Sequence, residues 1–209
     1  MRPDTLPLQI AGPAGALQCA IDLPPAGTLL RGNALLCHPH PLHGGSMDNK
    51  VVITLARAFL QLGYRVMRFN FRGAGGSAGH WDEGRGEIND ALAAAAHLRQ
   101  AYPGLPLALG GFSFGGYVAA QVADRLAASN PVQRLVLVGP AVSRFTLPLR
   151  VAADTLVIHG ESDEVVPLSA TLDWARPQVL PVIVLPGVGH FFHGQLALLK
   201  SQVLQAWQV

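Results

Sequence analysis

The sequence predicts an α/β fold with a mostly parallel sheet of about eight strands flanked by helices. Three observations carry that prediction. Short apolar runs recur along the chain, each followed closely by Gly or Pro. Longer stretches with helical spacing separate them. No repeat, low-complexity tract or interior linker interrupts the alternation, so one domain over residues 1–209 is expected.

The elements follow in order. Leu6 to Ala11 and Ala16 to Leu23 flank Gly12-Pro13-Ala14-Gly15 and read as an antiparallel hairpin at the sheet edge. Six buried strands are expected at Ala34–Cys37, Arg65–Phe71, Leu105–Leu109, Arg134–Val138, Thr155–Ile158 and Pro181–Leu185. Such strands, covered on both faces, lose polar alternation. Helical spacing covers Asn49–Leu62, Glu87–Ala101, Phe114–Ala128, Ser169–Ala175 and Phe191–Trp207. The run Ala91 to Ala96 is made of strong helix formers. Between Val138 and Thr155 the chain is too short for a helical cap, so no lid domain is expected.

Composition narrows the class. Half of the 209 residues are hydrophobic and only 13% are charged, well under the roughly 25% usual for soluble domains. Fifteen Lys and Arg against thirteen Asp and Glu form no basic run, which argues against nucleic acid as a partner. Met1 to Ala11 lacks the pattern of a signal peptide, and no apolar stretch is long enough for a membrane helix. A cytoplasmic protein is expected, without a membrane partner, as a monomer or homodimer. Cys19 and Cys37 fall in expected strands and read as small buried hydrophobes.

The strongest chemical signal is Gly111-Phe112-Ser113-Phe114-Gly115-Gly116, between an expected strand and an expected helix. A serine at such a sharp turn is raised above the carboxyl ends of the strands, where open α/β sheets bind ligands. The plain alternative is an N-cap serine with glycines for packing. A hydroxyl needs a base to become a nucleophile. His190, in Gly187-Val188-Gly189-His190-Phe191-Phe192, follows the last expected strand and fits that role. Asp163, after the preceding strand, fits the acid that fixes the histidine's tautomer. Glu161 and Glu164 are rival acids in the same loop. Asp163 is preferred because the two residues before it let the loop turn away from the strand end. The order Ser, Asp, His is that of nucleophile-elbow hydrolases.

An oxyanion site needs backbone donors. Phe114, next after the serine, supplies one. The other is expected from His38-Pro39-His40-Pro41-Leu42-His43-Gly44-Gly45. Pro39 and Pro41 have no N–H, which leaves His40 as the leading candidate and Leu42 as the second. The three histidines there invite a metal reading, but no Cys, Asp or Glu lies between them, and no metal is expected. His38 and His43 are expected to shape the loop through hydrogen bonds. The glycines of Asn70-Phe71-Arg72-Gly73-Ala74-Gly75-Gly76-Ser77 read as a turn supporting the site, since the lysine of a phosphate loop is missing.

These pieces, from His38-Pro39-His40-Pro41 to Gly189-His190-Phe191-Phe192 and with His159-Gly160, Asp163 and Pro167 among them, resemble the small bacterial α/β hydrolases. The resemblance is to the lidless esterases and the dienelactone-hydrolase-like group. It implies the α/β-hydrolase fold, a Ser-His-Asp triad and hydrolysis of a small-molecule carboxylic ester without a cofactor. Dienelactone hydrolases use a cysteine where this chain has Ser113, which favours simple esters or thioesters over lactones. An open cleft bordered by Leu42, Phe112, Phe114, Phe145, Phe191 and Phe192 would suit small to medium apolar acyl groups; each phenylalanine fits ordinary core equally well, and core is the preferred reading for Phe112. Acyl transfer to an acceptor other than water, and a non-catalytic receptor using the same pocket, remain rival readings.

Overall fold

A computed structural model describes residues 5–207. Eight strands form one sheet in the order β1-β2-β4-β3-β5-β6-β7-β8. The hairpin of β1 (Thr5–Gly12) and β2 (Gly15–Asp22) is antiparallel, and β2 also pairs antiparallel with β4 (Tyr64–Phe69). All remaining pairs are parallel: β3 (Gly32–Cys37), β5 (Leu107–Phe112), β6 (Arg134–Val138), β7 (Leu156–Gly160) and β8 (Val182–Leu185) complete the sheet. The expected α/β architecture is therefore present.

Because strand side chains alternate between faces, the sheet carries two cores. Leu35, Leu109 and Leu137 face α2 (Arg85–Ala101) and α3 (Phe114–Leu126). Leu36, Ala108 and Val136 face α1 (Lys50–Gln61) and α5 (Leu196–Trp207). The short α4 (Leu168–Ala175) covers the edge near β7. Helix starts follow local chemistry: Asn49 Oδ1 accepts from the Val51 N–H, and the Glu87 carboxylate accepts from the Asp82 and Gly84 N–H groups. Chain progression reverses across β3, because β4 lies on one side of it and β5 on the other. Ligands of open α/β sheets bind at such switch points, beyond the carboxyl ends of the strands.

Two expected elements have a boundary that moves by more than two residues. The strand expected at Leu105–Leu109 runs from Leu107 to Phe112, so Gly110 and Gly111 are strand residues and not the turn. Gly111 is small because α3 crosses directly over it: a Cβ there would lie 2.0 Å from the Gly115 carbonyl oxygen, while one on Gly110, on the other face, would lie 2.7 Å from the Leu36 side chain. The helix expected from Phe191 begins only at Leu196, since Phe192 (φ 53°) and Gly194 (φ 73°) adopt left-handed backbone that a helix cannot contain. Between β6 and β7, residues 139–155 form neither strand nor helix. Bonds from Gln121 Nε2 to the Thr146 carbonyl (2.8 Å) and from Trp174 Nε1 to the Pro148 carbonyl (2.9 Å) hold this loop down. The sheet top has no lid. Among the described residues no helix is long and apolar enough to cross a membrane.

Candidate active site

Ser113 lies between β5 and α3 with φ 55° and ψ −119°, a conformation unusual for a residue with a side chain. The elbow is held on both sides of its peptide. The Ser113 N–H donates to the Val138 carbonyl (2.9 Å), and the Ser113 carbonyl accepts from the N–H groups of Gly116 (2.9 Å) and Ala141 (3.2 Å). Gly115 lets α3 press against β3, since a Cβ there would lie 2.1 Å from the Cys37 carbonyl oxygen. The resulting serine is 8% exposed.

His190 and Asp163 arrive from the loops after β8 and β7. The Ser113 Oγ is 2.9 Å from His190 Nε2, and His190 Nδ1 is 2.6 Å from Asp163 Oδ2. With Nδ1 donating to the carboxylate, Nε2 is left to accept the serine proton. Asp163 Oδ1 accepts from the N–H groups of Val165 (2.9 Å) and Val166 (2.7 Å). Burial alone would raise this carboxyl's pKa, but the bonds from His190 and Val166 outweigh it and hold the group below its usual value. The rival acids do other work. Glu161 accepts from the Gly187 N–H (2.9 Å), and Glu164 is exposed beside a separate depression.

A cleft of about 400 Å³ opens over Ser113, lined by Phe114, His40, Leu42, Trp81 and Phe145 among others. Phe114 opens α3, so its N–H has no carbonyl one turn back to bond. His40 precedes a single helical turn, Pro41–His43, and its carbonyl accepts from His43 and Gly45. Its ring stacks on His43 (4.5 Å) and meets Trp81 (4.3 Å). Burial, with His43 and Arg144 nearby, lowers the His40 pKa. Leu42 is 66% exposed at the rim.

Several expectations need correcting. Phe191 lines two depressions beyond His190, not the cleft over Ser113, because Phe192 takes the inward position and turns Phe191 outward at 48% exposure. Phe192 is fully buried core, not cleft lining, whereas Phe112 is core as the sequence reading preferred. His43 makes no side-chain hydrogen bond among the described residues; it is exposed and acts by stacking.

Other expectations hold. His38 shapes the loop through Nδ1–H to the Pro39 carbonyl (2.6 Å) and Nε2 to the Phe71 N–H (3.0 Å), and burial lowers its pKa to about 4. The Asn70–Ser77 turn supports this loop, with Asn70 Oδ1 accepting from the Met47 N–H (2.8 Å) and Arg72 pairing with buried Asp90 (2.8 Å). Cys19 and Cys37 are buried, and burial raises both thiol pKa values.

Sequence reasoning missed Trp81, Arg144 and His159. Trp81 and Arg144 line the cleft from loops with no motif of their own. His159 was visible beside Gly160 yet carried no role; it is buried, with Nε2 3.4 Å from Asp163 Oδ2.

Comparison with known proteins agrees with this architecture. The family described as serine aminopeptidase, S33 matches residues 40–152. An α/β serine hydrolase without lid from Xanthomonas campestris is 37% identical, with a TM-score of 0.90 over 99% of this chain and 94% of that one. An α/β serine hydrolase homologue from Coxiella burnetii is 38% identical, with a TM-score of 0.89 over 97% of each chain. An uncharacterized protein from Rickettsia prowazekii is 38% identical over 141 residues, 64% of this chain. The chain spans 57% to 60% of the length of the curated relatives it matches. Sheet order, open top and these likenesses agree: the chain belongs to the serine aminopeptidase S33 family and, within it, to the α/β serine hydrolases that lack a lid.

Proposed function

We propose that the protein cleaves small to medium carboxylic esters through an acyl-enzyme on Ser113, with His190 as general base and Asp163 as the acid that orients it. The observation that carries this reading is the unbroken hydrogen-bonded chain from Ser113 through His190 to Asp163, at 2.9 and 2.6 Å.

In the first step Ser113 Oγ attacks the ester carbonyl carbon and His190 Nε2 takes the hydroxyl proton. The carbonyl oxygen becomes an oxyanion facing the N–H groups of Phe114 and His40, with Leu42 as the alternative second donor. Collapse breaks the bond to the leaving alcohol, which receives the proton from His190. Water then repeats the sequence, frees the acid and restores the serine. Asp163 stays ionised throughout and stabilises the imidazolium. The apolar walls, Phe114, Trp81 and Phe145, suit an acyl group of moderate size, and the absence of a cap leaves the leaving group free to project into solvent. No step requires a cofactor.

The test is release of p-nitrophenol from acetate through decanoate esters by wild type and Ser113→Ala. Turnover that vanishes in the variant supports the reading, and the chain-length profile sizes the acyl site. Turnover retained by the variant overturns it.

A further inference from the structure

Histidine 159 is a buried ionisable group that the reaction above does not use. It lies in β7, fully shielded from solvent. Its Nε2 is 2.9 Å from the Val166 carbonyl oxygen and 3.4 Å from Asp163 Oδ2. Both neighbours of Nε2 are acceptors only, so Nε2 carries the proton. The other ring nitrogen, Nδ1, is therefore an acceptor. It receives the hydroxyl proton of Thr171, on α4, at 3.2 Å. Burial keeps this ring below its ordinary pKa, in the neutral form that the bonds require.

The bonds meet on one residue. The Val166 N–H donates to Asp163 Oδ1 at 2.7 Å, while its carbonyl accepts from His159. The loop from Asp163 to Val166 is thus gripped by side chains at both ends. Asp163 Oδ2, which receives His190 at 2.6 Å, has His159 as its other close cationic or N–H neighbour. At 3.4 Å from Oδ2 the neutral ring makes no hydrogen bond to that oxygen, so His190 keeps it, and His159 acts through Val166, whose N–H holds Asp163 Oδ1.

We propose that His159 is a positioning residue for hydrolysis: its Nε2–H, with Thr171 steadying the ring at Nδ1, fixes the Val166 carbonyl and so the residue whose N–H holds Asp163, the acid that orients His190. The proposal rests on the triad reading given above. It extends the chain of contacts to Ser113, His190, Asp163, His159 and Thr171, reaching from the sheet top to α4.

The test compares wild type, His159→Phe, His159→Gln and Thr171→Val by two readouts. The first is kcat and KM on p-nitrophenyl acetate. The second is the downfield proton resonance of the His190 Nδ1–H, assigned by its loss in His190→Ala. Phenylalanine keeps a flat ring but offers no N–H; glutamine keeps a donor. His159→Phe is expected to lower kcat by about tenfold with KM unchanged, as small misplacements of reacting groups do, and to shift or broaden the resonance. His159→Gln is expected to recover most of both. If His159→Phe does not fold, Thr171→Val carries the test, since it leaves His159 in place and removes the hydroxyl that holds its Nδ1; a smaller kcat loss and the same resonance change are expected. Unchanged kcat and resonance with a lowered Tm would overturn the proposal, as would a glutamine variant no better than phenylalanine. The resonance needs no substrate. A wild type that turns over no ester would refute the ester reading, while the proton signal would still decide the role of His159.

Discussion

Adding one methyl group at Gly115 should disturb the elbow strongly. A Cβ there would lie 2.1 Å from the Cys37 oxygen, 2.5 Å from its carbonyl carbon and 2.6 Å from the His38 oxygen. All three are backbone atoms of β3 and the loop that carries His40, so no side chain can swing aside. The closest approach falls short of an ordinary contact by about 1.3 Å. Either α3 rises off the sheet or the loop retreats, and Ser113 and the two N–H donors lie at that junction. Helix propensity alone predicts that Gly115→Ala gains about 1 kcal/mol. Overpacking predicts the opposite sign, a loss of about 1–3 kcal/mol, and the clash with rigid backbone makes that effect the larger one. A displacement near 1 Å at the reacting atoms should also lower kcat/KM by about 100-fold. Urea unfolding and ester turnover read the two effects. Gly76→Ala is the control, because its added methyl would meet only the flexible Gln18 side chain at 3.3 Å. It should stay within about 0.5 kcal/mol of wild type. Wild-type stability and turnover in Gly115→Ala would refute the reasoning.

Removing the Asp90 carboxylate should be costly, because it is fully buried and accepts three bonds from Arg72, from the backbone N–H (3.0 Å), Nε (3.0 Å) and Nη2 (2.8 Å). Asp90→Ala should lose about 3–5 kcal/mol in urea unfolding, and adding Arg72→Ala should cost less than the two single changes together. Stability should also depend on His38. Its folded pKa is lowered to about 4, so between that value and about 6.5 the unfolded chain binds the extra proton. Its contribution, about 3 kcal/mol, is complete above pH 6.5 and is lost as pH falls toward 4. His38→Gln should flatten the urea midpoint over that window, with His40 and His159, both lowered in the same direction, contributing to the slope that remains. An unchanged pH profile in His38→Gln would contradict the buried neutral ring.

Much of this architecture can be read from the chain because its signals are local. The parallel strands are covered on both faces and so appear as apolar runs, and each site residue follows the end of one such run. Ser113, Asp163 and His190 were identifiable for that reason, and the structure brings them within hydrogen-bonding distance of one another. Where the determining contact is remote, the reading failed. Gly110 and Gly111 resemble a turn because nothing nearby reveals that Leu36 packs against the first and that α3 crosses the second. Phe191 and Phe192 looked equivalent until the left-handed backbone at Phe192 turned one to the core and the other to solvent. His159 looked like any strand-end histidine. Its meaning lies in Val166 and Thr171, seven and twelve residues away, and in how the acid loop folds back onto β7.

The most direct test of the central claim is peptide mass mapping after reaction with a fluorophosphonate, in wild type and in Ser113→Ala. The account predicts one adduct, on the peptide containing Ser113, formed in wild type and missing from the variant. An adduct on another residue, or none in the folded wild-type protein, would contradict it.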